Sequence, residues 1–204
     1  MTSPIDFESW REGFLTEHIL WSSFIKPTVI AVCSSRTHKI SKDNKSCIEL
    51  LADLGVAGDA HLGKTTQHLY LLKKDPARPN LSQVHLLHGE LHDHLNKAKF
   101  DMFPGLMGEN ITTRGVELMA LPQGTRLHIG ESTIVELTGY RQPCNKLNKL
   151  RPGLMDAVFL RNQTGCPVPN AGVMAVVIEG GQVRPSDHIT IKFPEKPHRP
   201  LCPV

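Results

Sequence analysis

Ile134-Val-Glu-Leu-Thr-Gly-Tyr-Arg-Gln-Pro-Cys-Asn-Lys-Leu-Asn-Lys-Leu150 sets a β-branched run against a proline, a cysteine and then two leucines three apart. Ile134, Val135 and Leu137 predict a short strand that Gly139 and Pro143 end. Leu147 and Leu150, with Lys and Asn between them, predict a short amphipathic helix that stops before Pro152. Cys144 therefore falls at a strand-to-helix junction. Unpaired helix N–H groups, with Arg141 and Lys146 nearby, would favour its thiolate, the form that attacks electrophiles and binds soft metals. A small apolar residue packed where a strand ends is the plainer use of a lone cysteine, and the residues alone leave both readings open.

Downstream and upstream of this stretch the chain is organised as short strands between frequent turns. Thr28–Cys33, Ile48–Leu51, Val84–Leu87, T-R-L-H-I at 125–129, the buried run after Gly172 and Asp187–Phe193 all read as strands, and glycines at 115, 124, 130 and 139 punctuate them. That pattern predicts a strongly bent sheet or barrel. Helices are few. Glu90–Lys99 is one, by Leu91 and Leu95, and Leu154–Leu160 is another short one. Residues 73–82 read as a polar loop, as does R-N-Q-T-G-C-P-V-P-N at 161–170. Before the first strand, Ser3-Pro4 and the acids Asp6 and Glu8 open a helix to about residue 23, whose Phe7, Trp10, Phe14 and Trp21 make an aromatic stripe expected to pack on the main domain. The organisation is thus an N-terminal helix in 1–27, one domain in 28–193 and a proline-rich, extended or mobile tail in 194–204.

Composition narrows the function classes. Forty per cent hydrophobic and 21% charged residues over 204 positions are ordinary globular values, and no apolar run is long enough to span a membrane. The N-terminus has neither a secretory nor a transit pattern, which points to the cytoplasm. A net charge of +3 without dense basic runs argues against nucleic acid as a partner. Five cysteines, at 33, 47, 144, 166 and 202, never form C-x-x-C, so reduced thiols are expected and a zinc ribbon is not. His88 and His92, with His85 and His94, could face a zinc ion, but no glutamate stands in the H-E-x-x-H place and a surface histidine face accounts for them.

Two glycine-rich segments bring backbone N–H groups and polar side chains together. Leu54–Gly63 carries Asp59 and His61, and Pro104–Thr113 carries Glu109 and Asn110. The run ending Gly63-Lys64-Thr65 is not read as a P-loop, because no strand-to-helix context is evident around it. Aspartate and asparagine are common turn formers, so a structural use of these four residues competes with a ligand-binding one.

Four segments in this order, Gly55-Val-Ala-Gly-Asp-Ala-His61, Gly108-Glu-Asn-Ile-Thr112, Arg141-Gln-Pro-Cys144 and Gly172-Val-Met-Ala-Val-Val-Ile-Glu-Gly-Gly-Gln-Val-Arg-Pro-Ser-Asp187, resemble the MOSC family, the molybdenum-cofactor-sulfurase C-terminal domain. The resemblance spans residues 28–193. It implies an α/β fold, a β-rich barrel of mixed strands with short peripheral helices, and a cleft for a molybdopterin-type molybdenum cofactor with Cys144 as catalytic residue and metal ligand. Asp59, His61, Glu109, Asn110, Arg141 and Lys146 are the implied cofactor-binding residues; Lys64, Arg114 and Arg161 are further candidates for a phosphate. The implied activity is an oxidoreductase that reduces N-hydroxylated small molecules with electrons from a flavoprotein or cytochrome. The alternative is a sulfur (persulfide) or cofactor carrier working with a cysteine desulfurase. Pyridoxal phosphate is not expected in this chain, since no lysine is placed for an internal aldimine. One departure stands out: Pro-Ser-Asp at 185–187 replaces the family's usual glycine before the aspartate, which puts the turn at Ser186 in question.

Overall fold

The computed structural model describes residues 26–161, with the side chain of Arg161 excepted, and 167–204. The N-terminal helix reading, Cys166 and the Arg161 side chain lie outside the described residues.

The strands are β1 (Thr28–Ser34), β2 (Asp43–Lys45), β3 (Ile48–Leu51), β4 (Gly55–Val56), β5 (Val84–His88), β6 (Ile111–Arg114), β7 (Arg126–Ile129), β8 (Thr133–Tyr140), β9 (Phe159–Arg161), β10 (Pro167–Pro169), β11 (Val173–Glu179), β12 (Gly181–Val183) and β13 (Ile189–Lys192). The helices are α1 (Leu69–Lys74), α2 (Gly89–Lys97), α3 (Lys146–Leu150) and α4 (Leu154–Ala157), plus one 3-10 turn at Leu118–Ala120. Eight strands form one sheet in the order β13-β7-β8-β11-β5-β6-β1-β2, while β12-β3-β4 and β10-β9 form two small ones. All pairs in the large sheet are antiparallel except β5 with β6. A parallel pair needs a crossover, and α2 supplies it.

Register shifts in β1 (Val29/Ala31) and twice in β11 bend the sheet sharply. Its far ends come together: Val29 N–H donates to Asp187 O at 2.9 Å, and a single bridge joins Thr28 to His188. No continuous ladder closes the seam among the described residues. The architecture is the β-rich α/β fold the sequence predicts, with the barrel left open at that seam.

Apolar side chains fall into two cores. One fills the curl of the sheet with Val32, Leu86, Leu127, Val135, Leu137 and Val177; the other lies outside it, where Leu87, Leu91, Met107, Leu147 and Leu154 pack beneath α2, α3 and α4. β5 is buried at all five positions because it serves both: Leu86 points to one core and Leu87 to the other. α3 is one turn long and held by Leu147, so the second core fixes where the chain emerges after Cys144.

Three local readings change. β8 runs on through Gly139 to Tyr140, so Gly139 is an interior strand residue; a Cβ there would stand 2.3 Å from Cys202 O. That glycine lets the C-terminal segment dock: Tyr140 N–H donates to Cys202 O at 2.9 Å and Leu201 is buried in the first core. Residues 69–74 form α1, a helix that the short unbroken run Leu69-Tyr-Leu-Leu72 does not announce and that buries none of its residues. His85, His88 and His92 are buried, and only His94 of that group is exposed; among the described residues no cluster of His, Cys, Asp or Glu could hold a metal ion.

At 185–187 the turn keeps a glycine-like shape without a glycine. Ser186 has φ 76°, and its N–H donates to Val29 O at 2.8 Å across the open seam. A left-handed non-glycine residue costs about 1–2 kcal/mol, while glycine frees the unfolded chain by roughly 0.4–1 kcal/mol. Ser186→Gly should therefore raise stability by about 0.5–1 kcal/mol in a urea titration; a loss would mean the serine hydroxyl holds the seam.

Glu117, which precedes the 3-10 turn, has its carboxyl pushed up to about 7, by burial first and then by Glu90. The folded state thus holds a proton that the unfolded state releases near pH 4.5. Stability should fall as pH rises from about 4.5 to 7, at up to ~1.4 kcal/mol per pH unit. Glu117→Gln should flatten that slope; an unchanged slope would assign it to another group.

Candidate functional site

A cleft of about 860 Å³ opens beside the C-terminal end of β1. The segment 38–42 and the turn at 61–68 form one side, α1 and residues 78–82 another, and His85, Met107, Asn110 and the segment 141–146 the floor and far wall. Six of the lining residues are Lys or Arg and none is Asp or Glu: Lys39, Lys42, Lys73, Arg78, Arg141 and Lys146. Lys39 pairs with Asp43 at 2.7 Å and Lys42 with Asp59 at 2.8 Å. The other four have no carboxylate within ion-pair distance among the described residues. A cavity with four uncompensated cations attracts an anion.

Asp59 is the buried tie beneath this cleft. Oδ2 accepts from Lys42 Nζ (2.8 Å), Ser35 N–H (3.1 Å) and Asn110 Nδ2 (3.2 Å), and Oδ1 accepts from the His61 backbone N–H (3.0 Å) and the His61 ring at Nδ1 (3.1 Å). Burial would raise this carboxyl, but the hydrogen bond from His61 and the Lys42 ammonium hold it well below the usual carboxylate range. Lys42 itself is drawn down by burial, opposed by Asp59, and at this separation the pair is ionic.

Asn110 is equally engaged. Oδ1 accepts the His85 N–H at 3.1 Å and Nδ2 donates to Cys33 O at 3.1 Å, which joins β1 to β5 just where the cleft begins. Glu109 does not line the cleft. It is fully buried, accepts the Gly105 N–H at 2.7 Å and lies 3.4 Å from His92 Nε2; burial would raise its carboxyl, but His92, His85 and the Gly105 N–H together hold it low. Gly105 and Gly108, both at positive φ, press against residues 40–42, where a Cβ would come 2.3 Å from Lys42 O and 2.5 Å from Ile40 O. Asp59 and Glu109 thus shape the wall from behind, Asn110 is tied into the wall itself, and His61, Arg141 and Lys146 face the space.

Cys144 is exposed on the cleft wall. The expected helix N-terminus offers little to the thiol: α3 has only five residues, and its Leu147 N–H is taken by the Cys144 carbonyl at 3.0 Å. The positive neighbour is Arg141, half-buried, whose charge burial opposes and Cys144 favours. Its backbone N–H donates to Gly172 O at 2.9 Å and its guanidinium to Met107 O, so its reach is fixed. By contrast Cys33 is buried, and burial followed by Glu109 pushes its thiol up to about 12. Lys64 and Arg114 do not line the cleft.

Sequence reasoning missed Lys42, Arg78, Lys73, His38, His68 and His85. His85 had a readable signal, the position opposite Val84 and Leu86 in an alternating strand. Its Nε2 lies 2.9 Å from Ala171 O, burial and then Arg141 push its pKa down to about 3, and it stays neutral; a Cβ on Gly172 would fall 2.6 Å from that nitrogen. The segment Gly58-Asp-Ala-His-Leu-Gly-Lys-Thr65 does meet the G-x-x-x-x-G-K-T spacing, so only context speaks against a P-loop. The context is absent: β4 is two residues, and the next helix starts at Leu69 and is six residues long.

Fold and cleft together define an open-barrel α/β domain with a cationic, thiol-bearing cleft. The chain belongs to the MOSC domain family, whose model matches residues 58–190, more than half of the sequence; that family is associated with binding of the molybdenum cofactor. No curated protein matches the sequence significantly. Among solved structures it is similar to the YuaD protein of Bacillus subtilis (18% identity, 84% of this chain and 98% of that one, TM-score 0.64). It is also similar to YiiM from Geobacillus stearothermophilus (17%, 81% and 75%, TM-score 0.57) and YiiM from Escherichia coli (19%, 84% and 73%, TM-score 0.50). No described helix is long and apolar enough to cross a membrane.

Proposed function

We propose that the cleft binds a molybdopterin-type molybdenum cofactor with Cys144 Sγ as a metal ligand, and that the protein reduces N-hydroxylated small molecules. The observation that carries this is an exposed thiol in a cleft with four uncompensated Lys and Arg side chains and no lining Asp or Glu. A thiolate suits a dithiolene-bound metal, and fixed cations suit the phosphate of the pterin. Lys73, Arg78 and Lys146 are free to meet that phosphate, and Arg141 braces the wall beside the thiol. When bound, the cofactor supplies two-electron redox chemistry at the metal. The chain's own contribution is to hold the anion, orient it through Cys144 and present a polar wall to the substrate. In the overall reaction R–NH–OH takes two electrons and two protons to give R–NH2 and water, with a flavoprotein or cytochrome as reductant.

The exposure of Cys144 also suits a carrier, since a persulfide sulfur from a cysteine desulfurase could reach it directly. Molybdenum and pterin analysis of protein purified from a cofactor-producing host tests the first reading. Near-stoichiometric content with viologen-driven turnover of benzamidoxime supports it, whereas an unmetallated protein that gains one sulfur atom on Cys144 after incubation with a desulfurase and cysteine replaces it with the second.

A further inference from the structure

Of the histidines that line the cleft, His61 is set apart by how it is held. His85 Nε2 pairs with Ala171 O, and His38 Nε2 with Gln67 O at 2.9 Å. His68 has no carboxylate partner among the described residues; partial burial of its ring and then Lys146 push its pKa down, with His61, His38 and Arg141 adding to the effect. His61 alone is gripped by a buried carboxylate, with its backbone and its Nδ1 on the same oxygen of Asp59. An ionised carboxylate only accepts, so Nδ1 carries the proton. That assignment leaves Nε2, which makes no hydrogen bond among the described residues, as the ring atom available to a ligand, on a side chain 31% exposed.

The geometry points to His61 as the proton donor of the cleft, with Asp59 as its positioning residue and Lys42 holding Asp59. The inference rests on the reductase reading. Breaking the N–O bond of R–NH–OH requires two electrons, for which the flavoprotein or cytochrome is the reductant, and two protons, one on nitrogen and one on the departing oxygen. The His61 imidazolium gives its Nε2 proton to that oxygen, which leaves as water; the ring becomes the neutral Nδ1–H form already favoured by Asp59 and regains a proton from solvent at its exposed edge. The groups that act on the ring are Asp59 in its own turn, Lys42 behind that carboxylate, the His38 ring at 5.0 Å and His68 before α1.

Two measurements test it. In ¹⁵N-labelled cofactor-free protein, long-range imidazole correlations should show neutral His61 as the Nδ1–H tautomer, with Asp59→Asn losing that preference; an Nε2–H tautomer in the wild type overturns the inference. In cofactor-loaded protein, His61→Gln should retain molybdenum and pterin but lose about 10²-fold or more in kcat for benzamidoxime, together with the decline in rate with rising pH expected of a wild type that uses a general acid. A rate within about threefold and an unchanged pH profile would overturn it, as would loss of the metal, which would make His61 a holding residue. Wild-type protein that carries no molybdenum fails the proposed function instead, and the tautomer result still reports on the dyad.

Discussion

Cys144→Ser, produced beside wild type in a cofactor-competent host, should retain less than about a tenth of the wild-type molybdenum. Outer-shell partners of a metal already change affinity about 10–100-fold when removed, so loss of the ligating atom should do at least as much. Serine keeps the size of the side chain but replaces a soft sulfur ligand by a hard hydroxyl oxygen. The side chain is exposed, so folding should be unaffected within about 0.5 kcal/mol, and the metal content then reports binding alone. Alkylation of the empty protein makes a useful companion: Cys144 should react, while Cys33, buried and with its thiol pushed up to about 12, should stay protected until unfolding. Full metal retention in the serine variant would leave the cleft as a pterin site without thiolate ligation.

The second large effect is on stability. Lys42→Met should cost about 3–5 kcal/mol in a protein whose total is of the order of 5–15 kcal/mol. Both side chains of the Lys42–Asp59 pair are almost wholly buried, at 5% and 2% exposure, so methionine fills the space but strands a carboxylate. Replacing Asp59 as well should not restore stability, because its oxygens also accept the Ser35 and His61 N–H groups, and these would be orphaned. The pH dependence follows from the direction of the Asp59 shift. A carboxyl held below its ordinary 3.8 contributes stability that is fully present above that pH and is lost as pH falls through and below it. Wild type should therefore weaken steeply in acid, and Lys42→Met should show a shallower acid limb from its lower starting point. A cost under about 1 kcal/mol would mean that water or protonation relieves Asp59 in the variant.

The strands that bury both faces or alternate cleanly were legible: Thr28–Cys33, Val84–Leu87 and the run after Gly172 carry enough Val, Ile and Leu that no other structure competes. The order of the four motif segments then carried the fold. What escaped was set by contacts between distant segments. Gly139 looked like a terminator, yet its missing Cβ accommodates Cys202, more than sixty residues away. Lys42 looked like one surface lysine in a polar loop because its partner, Asp59, lies beyond three strands. Asp59, Glu109 and Asn110 were found by motif, but a sequence cannot tell a side chain that faces a cleft from one that braces its wall. Ser186 was marked as a departure, and its φ places a non-glycine residue in the left-handed region that favours glycine.

The docked C-terminal segment bears on how the protein is handled. Val204 lines the cleft, and its N–H meets Tyr140 O at 3.4 Å beside Gly139. Any polypeptide continuing past that residue, including a fused affinity tag, leaves from the rim of the cleft. A polyhistidine sequence there would set metal-chelating side chains beside Cys144 and could be mistaken for the protein's own metal content. Metal assays belong on protein tagged elsewhere or cleaved free.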